Sequence, residues 1–305
     1  MISFAVVVTS YNYRRFVDMA IDNALAQSRP PLQIIVVDDG STDGSPAHLR
    51  ERYASDARVT LLFGENTGQL AAFQRGLALT HADVVCFLDA DDYWSTNYLE
   101  QLGELYDSHD DVDFVFSDIQ LFGDEQRWLG WGEHSQDLGF TVISTYMLMH
   151  WYGAPTSALS MRRQWALRAL EVPENLIHHW RLSADNCLVF GASVLGAHKY
   201  YLRTGAVHYR IHGDNGWWGK QTVTSRYLNR FRSRCLIGVY ARSIGLDERC
   251  LESAGHEFHT KQAPSWREAC RYAKLMRLRR GSWLGNQRRA ASILWSVIRA
   301  HRHTS

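Results

Sequence analysis

Acidic side chains are concentrated directly after two apolar runs of this sequence. Asp38 and Asp39 end one run, and Asp89, Asp91 and Asp92 follow another. Five carboxylates held close together repel one another and are costly to bury without a cation. A hard divalent ion with oxygen ligands compensates such a charge, so the pattern predicts a site for Mg²⁺ or Mn²⁺.

The elements that would position these groups are visible as a regular alternation over the first 120 residues. Helical patterns separate five apolar runs, at 3–8, 32–37, 59–63, 84–88 and 114–118. Such runs are typical of a parallel sheet covered on both faces, and right-handed crossovers place the carboxyl ends of its strands at one edge. We therefore predict an α/β fold with a Rossmann-like, mostly parallel sheet, helices on both faces and a helical C-terminal region.

A single aspartate at a strand end can also serve as a helix cap or as a phosphate-transfer nucleophile. Asp92 or Ser95 fits the position of a cap for the next predicted helix, but capping accounts for one carboxylate per helix start. Dehalogenase-type phosphatases and response-regulator receivers also have aspartates at strand ends. In those phosphatases the nucleophilic aspartate follows the first strand, whereas here Thr9-Ser-Tyr-Asn follows the first strand and the acidic triplet follows the fourth.

Several segments occur in the order and at the spacing of a known enzyme family. They are VVVTSYNYRRF at 6–16, IIVVDDGSTDGS at 34–45, ENTGQLAAFQRGLALTHADVVCFLDADDYW at 65–94, a weaker SADNCLVFGASVLG at 183–196 and VHYRIHGDNGW at 207–217. Through them the chain resembles the family 2 glycosyltransferases over roughly residues 2–217. The resemblance implies the GT-A fold of the nucleotide-diphospho-sugar transferases.

The resemblance also implies which residues bind the nucleotide of the donor. They are Thr9, Tyr11, Asp38, Asp39, Asn66, Gly68, Asp89 and Arg210. Tyr11 would stack on the nucleobase, Asp39 would accept a base N–H, and Asp89 would contact the ribose side. The donor would be a UDP-, GDP- or dTDP-sugar.

Metal binding and catalysis are assigned by the same resemblance. Asp91 would ligate a Mg²⁺ or Mn²⁺ ion that bridges the diphosphate, with His212 as a second ligand. Asp185 matches the general base of inverting members, although Ala184 replaces the acid that often precedes it. Alternatively, Asp185 would be a helix N-cap and His212 an ordinary histidine of a surface loop.

The function implied is an inverting, metal-assisted transfer of a sugar from a nucleoside-diphosphate sugar to the hydroxyl of a glycan, a lipid-linked glycan or another acceptor. Two alternatives stay open: a catalytically silent protein that binds sugar nucleotides or glycans, and a sugar nucleotidyltransferase. The second class usually begins with a glycine-rich basic loop, which this sequence lacks after its first strand.

Two further segments suit a transferase that must bind an acceptor and exclude water. The aromatic region at 128–152 predicts a wall on the acceptor side, because sugar rings stack on aromatic side chains. It contains Trp128, Trp131, Tyr146, Trp151 and Tyr152, and Pro155–Ser157 follows it. The glycine-rich Gly213–Gly219, with Trp217 and Trp218, is a candidate lid.

Three regions are expected: a nucleotide-sugar-binding half at 1–118, an acceptor-binding half at 119–225 and a basic helical extension at 226–305. Residues 261–305 have eleven Lys and Arg against one Glu, although the whole chain has a net charge of +1. Aromatic residues interleave with these charges, which favours either packing on the domain or peripheral contact with a membrane, and no nucleic acid is expected. Five scattered cysteines and the lack of a signal-like N-terminus predict a cytoplasmic protein.

Overall fold

The computed structural model describes residues 1–216 and 218–302. Its strands are β1 (Phe4–Ser10), β2 (Gln33–Asp38), β3 (Val59–Phe63), β4 (Val84–Asp89), β5 (Tyr93–Trp94), β6 (Phe114–Ser117), β7 (Ile119–Gly123), β8 (Trp128–Leu129), β9 (Gln136–Gly139), β10 (Leu159–Arg162), β11 (Lys199–Leu202) and β12 (Val207–Ile211). Its α-helices are α1 (Val17–Leu25), α2 (Ser45–Tyr53), α3 (Gln69–Ala78), α4 (Tyr98–Ser108), α5 (Val142–Leu148), α6 (Arg163–Leu170), α7 (Glu174–Ile177), α8 (Asp185–Leu195), α9 (Val223–Ser243), α10 (Ala254–His259), α11 (Trp266–Leu278) and α12 (Trp283–Arg302).

The central sheet confirms the predicted α/β fold. Its eight strands lie in the order β3-β2-β1-β4-β10-β6-β11-β9. β1 pairs in parallel with β2 and β4, so that Thr9 lies in register between Val37 and Asp89. The ends of these three strands therefore meet at one edge, as the alternation of apolar runs predicted.

Two strands of the central sheet depart from the predicted parallel pattern: β9, which is antiparallel to β11, and β10. β10 runs antiparallel to both of its neighbours, β4 and β6. It has only four residues and lies where the sequence no longer alternates. β6 nevertheless runs in the same direction as β4, because β10 lies between the two strands and is antiparallel to each of them.

The core of the central sheet explains its continuous apolar runs. All seven residues of β1 are buried, since helices cover both faces of the sheet. Helix α1 buries Val17 and Ile21 on the same core, and α3 buries Phe73 against Phe87 of β4. This packing holds the polar residues that follow each strand at a fixed edge.

A second, smaller sheet lies across the turn that follows β4. Its strand order is β5-β12-β7-β8. β12 pairs with β5 through Val207 and Trp94, and with β7 through Arg210 and Phe122. The pairing brings residues 207–211 next to the acidic residues 89–92, which are more than 100 positions earlier in the chain.

The C-terminal helices pack on the rest of the chain. Leu236, Ile237 and Tyr240 of α9 belong to the main core, whereas α10–α12 form a second apolar cluster that includes Ile143 of α5. Buried Lys261 donates to the carbonyls of Leu138 and Phe140. Within the described residues, no helix combines the length and the hydropathy needed to cross a bilayer.

Candidate functional site

A cavity of about 930 Å³ opens at the carboxyl edge of the central sheet. Eight of the predicted site residues line it: Thr9, Tyr11, Asp39, Asn66, Gly68, Asp89, Asp91 and Asp185. They come from five separate segments of the chain, and the volume lies within the usual range for a small-molecule site. Asp38, Arg210 and His212 do not belong to the wall of this cavity.

Asp39 is the best-anchored carboxylate of the cavity. It is buried, and Arg75 donates to its Oδ1 at 2.6 Å. The backbone N–H and the hydroxyl of Thr67 donate to the same oxygen, and the N–H of Gly68 donates to Oδ2 at 2.7 Å. Asp39 therefore holds the turn before α3 against the end of β2. Its neighbour Asp38 accepts from the N–H of Ser41.

Gly68 lies at a close approach of two backbone segments. Its φ is +94°, a region that residues with a Cβ rarely adopt. A Cβ at this position would lie 2.6 Å from Cα of Arg181. The next residue, Gln69, donates its N–H to the carbonyl of Arg181 at 3.0 Å. The glycine thus allows the donor-side turn to touch the segment that leads into α8.

Gly68→Ala is expected to weaken donor binding by tenfold or more and to lower the melting temperature. The methyl group would push Arg181 away from Gln69, and the unusual φ would add about 1–3 kcal/mol of strain. Calorimetric titration with nucleotide and thermal denaturation measure the two effects. Gly44→Ala is the matched control, because its φ is +85° but no atom lies within 4 Å of a Cβ there. Equal donor affinity in the two variants would contradict the role of this contact.

Besides Asp39, three carboxylates line the cavity: those of Asp89, Asp91 and Asp185. Burial, followed by the charges of Asp91 and Asp185, raises the pKa of Asp89 to about 8. Burial also raises the pKa of Asp185 to about 6. Each shift shows that negative charge is unfavourable here, so the site is electrostatically suited to a cation or to a proton taken from a substrate.

Asp185 is the first residue of α8, and the N-cap position belongs to Ala184. Its Oδ1 accepts from the N–H of Asn186 at 2.9 Å, while the carboxylate remains partly open to the cavity. Ser183, two residues earlier, has a φ of +58°, which is unfavourable for a residue with a Cβ. The interpretation of Asp185 as an N-cap is therefore wrong.

Gln69 is a site residue that the sequence analysis missed. Its Nε2 donates to Asp89 at 3.0 Å, and its Oε1 accepts from the N–H of Ala184 at 2.9 Å. One side chain thus connects the end of β4 to the start of α8 and sets the position of Asp185. A glutamine directly after an Asn-Thr-Gly turn is the only sequence signal that pointed to this role.

His212 lies behind Asp91 rather than in the cavity wall. Its Nε2 is 3.0 Å from Oδ2 of Asp91, and the N–H of Asp214 donates to its Nδ1. Because Nδ1 accepts, the ring proton is on Nε2 and is donated to Asp91. The amide of Asn215 also reaches the same carboxylate oxygen, at 3.5 Å.

Arg210 holds the acidic turn through its backbone and its guanidinium group. Its Nε donates to the carbonyl of Asp91 at 2.8 Å, and its N–H donates to Asp92. The guanidinium group lies over the rings of Phe16 and Phe122. In this structure Arg210 contacts protein groups rather than the cavity in which a nucleotide would bind.

The capping roles suggested for Asp92 and Ser95 are wrong. Helix α4 starts after Asn97 without a side-chain cap. Asp92 is buried and accepts from the hydroxyl of Ser157 at 2.6 Å, and Ser95 is hydrogen bonded to His208. Hydrogen bonds to residues far along the chain therefore satisfy these polar groups, and neither caps the helix.

The predicted acceptor-side wall is largely absent from the cavity. Of the five aromatic residues, only Trp151 lines it, together with Pro155 and Thr156. Tyr152 is buried and donates to Ser144, and Trp128 donates to Asp118. Tyr152 is part of the core, and Trp131 and Tyr146 are partly buried against it, so these rings do not face the cavity.

The candidate lid meets the cavity at Asn215, Gly216 and Trp218. The indole N–H of Trp218 donates to Glu125 at 2.8 Å. Trp217 lies outside the described residues. The segment therefore reaches the mouth of the cavity, and its closure remains a prediction.

The side chains that could act as metal ligands fit a divalent cation in part. Among the described residues there is no group of three or more His, Cys, Asp and Glu side chains that could hold a metal. Asp91 and His212 would provide two ligands, which suits a Mg²⁺-type ion that shares substrate phosphates and water. Ligation by Nε2 of His212 would require its proton to move, with loss of the bond from Asp214. The softer imidazole favours Mn²⁺ over Mg²⁺.

Comparison with known proteins is consistent with this geometry. The family model described as glycosyl transferase family 2 matches residues 5–168. An uncharacterised glycosyltransferase of Nostoc sp. is 32% identical over 260 residues, which are 78% of this chain and 77% of that protein. The amylovoran biosynthesis glycosyltransferase AmsB of Erwinia amylovora is 34% identical over 40% of this chain and 43% of its own length. TarS residues 1–349 of S. aureus, solved in complex with UDP-GlcNAc, superpose with a TM-score of 0.60 at 13% identity, over 99% of this chain and 92% of that 1–349 chain.

Proposed function

Because the chain belongs to glycosyltransferase family 2, we propose that it transfers a sugar from a nucleoside diphosphate to an acceptor hydroxyl with inversion, and that Asp185 is the general base. The chain is a glycosyltransferase by its family. The observation that supports the finer mechanism is the meeting of Asp91 and Asp185 in one cavity with the nucleotide-side residues.

The proposed reaction is one displacement at the anomeric carbon. Asp185 removes the proton of the acceptor hydroxyl while that oxygen forms a bond to the anomeric carbon. The bond from this carbon to the diphosphate oxygen breaks, and the nucleoside diphosphate leaves with the electron pair. A positioned base contributes about 10²–10⁴-fold to such a step. A pKa of about 6 keeps Asp185 largely ionised at neutral pH.

The leaving diphosphate would lie on the side of Asp91. We propose that Asp91 and His212 hold a Mn²⁺ or Mg²⁺ ion there. When bound, such an ion neutralises the charge that develops on the diphosphate, which is worth several kcal/mol of barrier. Asp89 and Gln69 keep the nucleotide side of the cavity in place through their mutual hydrogen bond.

The proposal also names the class of donor and assigns a role to each of the three regions of the chain. TarS complexes with UDP and UDP-GlcNAc make UDP-sugars the first donors to test. We assign 1–118 to the donor, 119–225 to the acceptor and 226–305 to a supporting basic extension. Trp266, Trp283 and Trp295 are at least half exposed on its helices, which suits peripheral contact with a membrane.

The experiment that tests this function is a thermal-shift panel of UDP-, GDP- and dTDP-sugars with and without Mn²⁺. One class of donor is expected to stabilise the protein by about 2.7 kcal/mol at one hundred times its Kd, with a larger effect when Mn²⁺ is present. Release of nucleoside diphosphate then measures turnover. Stabilisation by no donor would contradict the proposal. Binding without transfer to any acceptor would identify a silent sugar-nucleotide-binding protein.

A further inference from the structure

A second cavity, of about 400 Å³, lies beside the first and is lined by α5 and α9. Met147 and Leu148, at the end of α5, form one side, and Tyr227 and Phe231 of α9 form the other. We call this cavity the α5/α9 groove. Met149 and Arg230 line both cavities, so the groove adjoins the cavity that contains Asp185 at these two residues.

The walls of the α5/α9 groove are apolar and unusually exposed. Tyr227 and Phe231 are 65% and 56% exposed, and their rings are nearly parallel with centroids 6.4 Å apart. Met149, at the junction of the two cavities, has a φ of +55°, which is unfavourable for a residue with a Cβ. Exposed apolar side chains next to a cavity indicate a surface that a ligand covers.

The charge of the groove is positive. Helix α9 contains five arginines and no acidic residue. Arg230 and Arg234 line the groove, and in the part of the chain that the structure describes neither forms an ion pair. Arg234 donates one N–H to the carbonyl of Tyr146, which leaves the rest of its guanidinium group for an anion. Apolar walls next to the guanidinium groups of Arg230 and Arg234 are complementary to a hydrocarbon chain that ends in a phosphate group.

We propose that the α5/α9 groove binds the lipid part of the acceptor, an amphipathic molecule with a phosphate or diphosphate between its hydrocarbon chain and its sugar. The hydrocarbon chain of this acceptor lies on the rings of Tyr227 and Phe231. Arg230 and Arg234 bind its phosphate, and its sugar enters the main cavity. This inference rests on the proposed function, since it names the class of acceptor for that site. Because the two cavities share Met149 and Arg230, a molecule in the groove lies beside the main cavity, which favours an acceptor over an unrelated partner.

Dodecyl phosphate, below its micellar concentration, is the probe for the test. Binding is measured by calorimetry on the full chain for the wild type, Arg234→Gln and Phe231→Ser. Both side chains are exposed, so both variants are expected to fold. We expect each to weaken binding by about tenfold, as loss of a charge-assisted hydrogen bond, or of a ring that the ligand covers, does. Inorganic phosphate, which lacks the hydrocarbon chain, and dodecyl maltoside, which lacks the phosphate, are each expected to bind much more weakly than dodecyl phosphate.

Arg232→Gln is the matched control. It removes the same charge from an exposed position of the same helix, but Arg232 does not line the groove. It is expected to change the affinity by less than about twofold, as exposed charges do. Equal weakening by Arg232→Gln and Arg234→Gln would mean attraction to a basic surface, as at a membrane, and would overturn the proposal. Tight binding of inorganic phosphate alone would also overturn it, in favour of an anion site.

The binding and stabilisation experiments distinguish an error in the groove proposal from an error in the proposed function. Donor stabilisation in the nucleotide-sugar panel does not involve Phe231 or Arg234, which line only the groove. If dodecyl phosphate binds the variants as well as the wild type while a donor still stabilises all of them, the groove proposal is wrong and the transferase stands. If no donor stabilises the wild type, the proposed function itself is wrong.

Discussion

Asp185→Asn is expected to lower kcat by about 10²–10⁴-fold while the Kd of the donor stays within about twofold. The amide keeps the size of the side chain and can still accept from the N–H of Asn186, so α8 should start at the same residue. Only the ability to take a proton from the acceptor is lost. Single-turnover transfer and calorimetric donor titration measure the two quantities separately.

The same substitution is expected to raise the melting temperature at pH 7.5 by several degrees. Burial raises the pKa of Asp185 to about 6, above the value of about 3.9 for an unfolded chain. The folded state therefore binds the proton more tightly, and the ionised carboxylate costs stability above pH 6 but not below pH 4. The advantage of the Asn variant should accordingly disappear as the pH falls to 4. In the wild type, kcat should rise with pH around 6.

Asp110→Asn is the control for this experiment, because Asp110 is exposed and does not line the cavity. It should change neither kcat nor the pH dependence of stability. Turnover by Asp185→Asn at the rate of the wild type would remove Asp185 from the role of base. A lower kcat accompanied by a lower melting temperature would instead indicate that the cavity had collapsed.

Asp91→Asn is expected to reduce kcat by about 10³-fold or more. A change of several kcal/mol in barrier is the usual contribution of Lewis-acid stabilisation, and each 1.36 kcal/mol is a factor of ten. The substitution keeps the side chain next to His212 and Asn215 but removes the charge that would hold a cation. The stabilisation of the donor complex by Mn²⁺ should disappear with it.

The measurement that separates the two carboxylates is a Mn²⁺ titration of donor binding. Asp185→Asn should retain the Mn²⁺ effect and Asp91→Asn should lose it, although both lose transfer. Mn²⁺-dependent donor binding by Asp91→Asn would show that the cation is held elsewhere or is not needed. Asp110→Asn again provides the reference, with an unchanged Mn²⁺ effect.

The residues proposed to bind the nucleotide could be brought to one edge of the sheet from the sequence alone, because they follow directly from local pattern. Thr9, Asp39 and Asp89 come at the ends of apolar runs, and parallel pairing brings those ends together. Family resemblance then added Asn66, Gly68 and Asp185, all of which line the cavity. Such residues are identified by sequence because a strand, its turn and the next helix are contiguous in the chain.

Other predictions were wrong where a polar or aromatic side chain could contact several alternative parts of the protein. Asp92 looked like a cap but pairs with Ser157, 65 residues later. Tyr152 looked like an acceptor contact but is buried in the core. Arg210 was expected at the donor, and it lies outside the cavity wall and donates to the carbonyl of Asp91. His212 was expected as a metal ligand; it contacts Asp91 from behind, and its role as a ligand stays a prediction. Burial and pairing over long distances along the chain decide such cases.

By itself the sequence determined the α/β fold, the family and the edge of the sheet at which the candidate site lies, because periodicity and strand-end residues are local properties of the chain. Only the tertiary structure decided that Gln69 positions Asp185, that His212 donates to Asp91 and that α9 adds a basic, apolar groove to the main cavity. The reason is physical: these features depend on contacts between segments far apart in the chain, and hydrophobic packing, which has no direction of its own, selects among many such contacts.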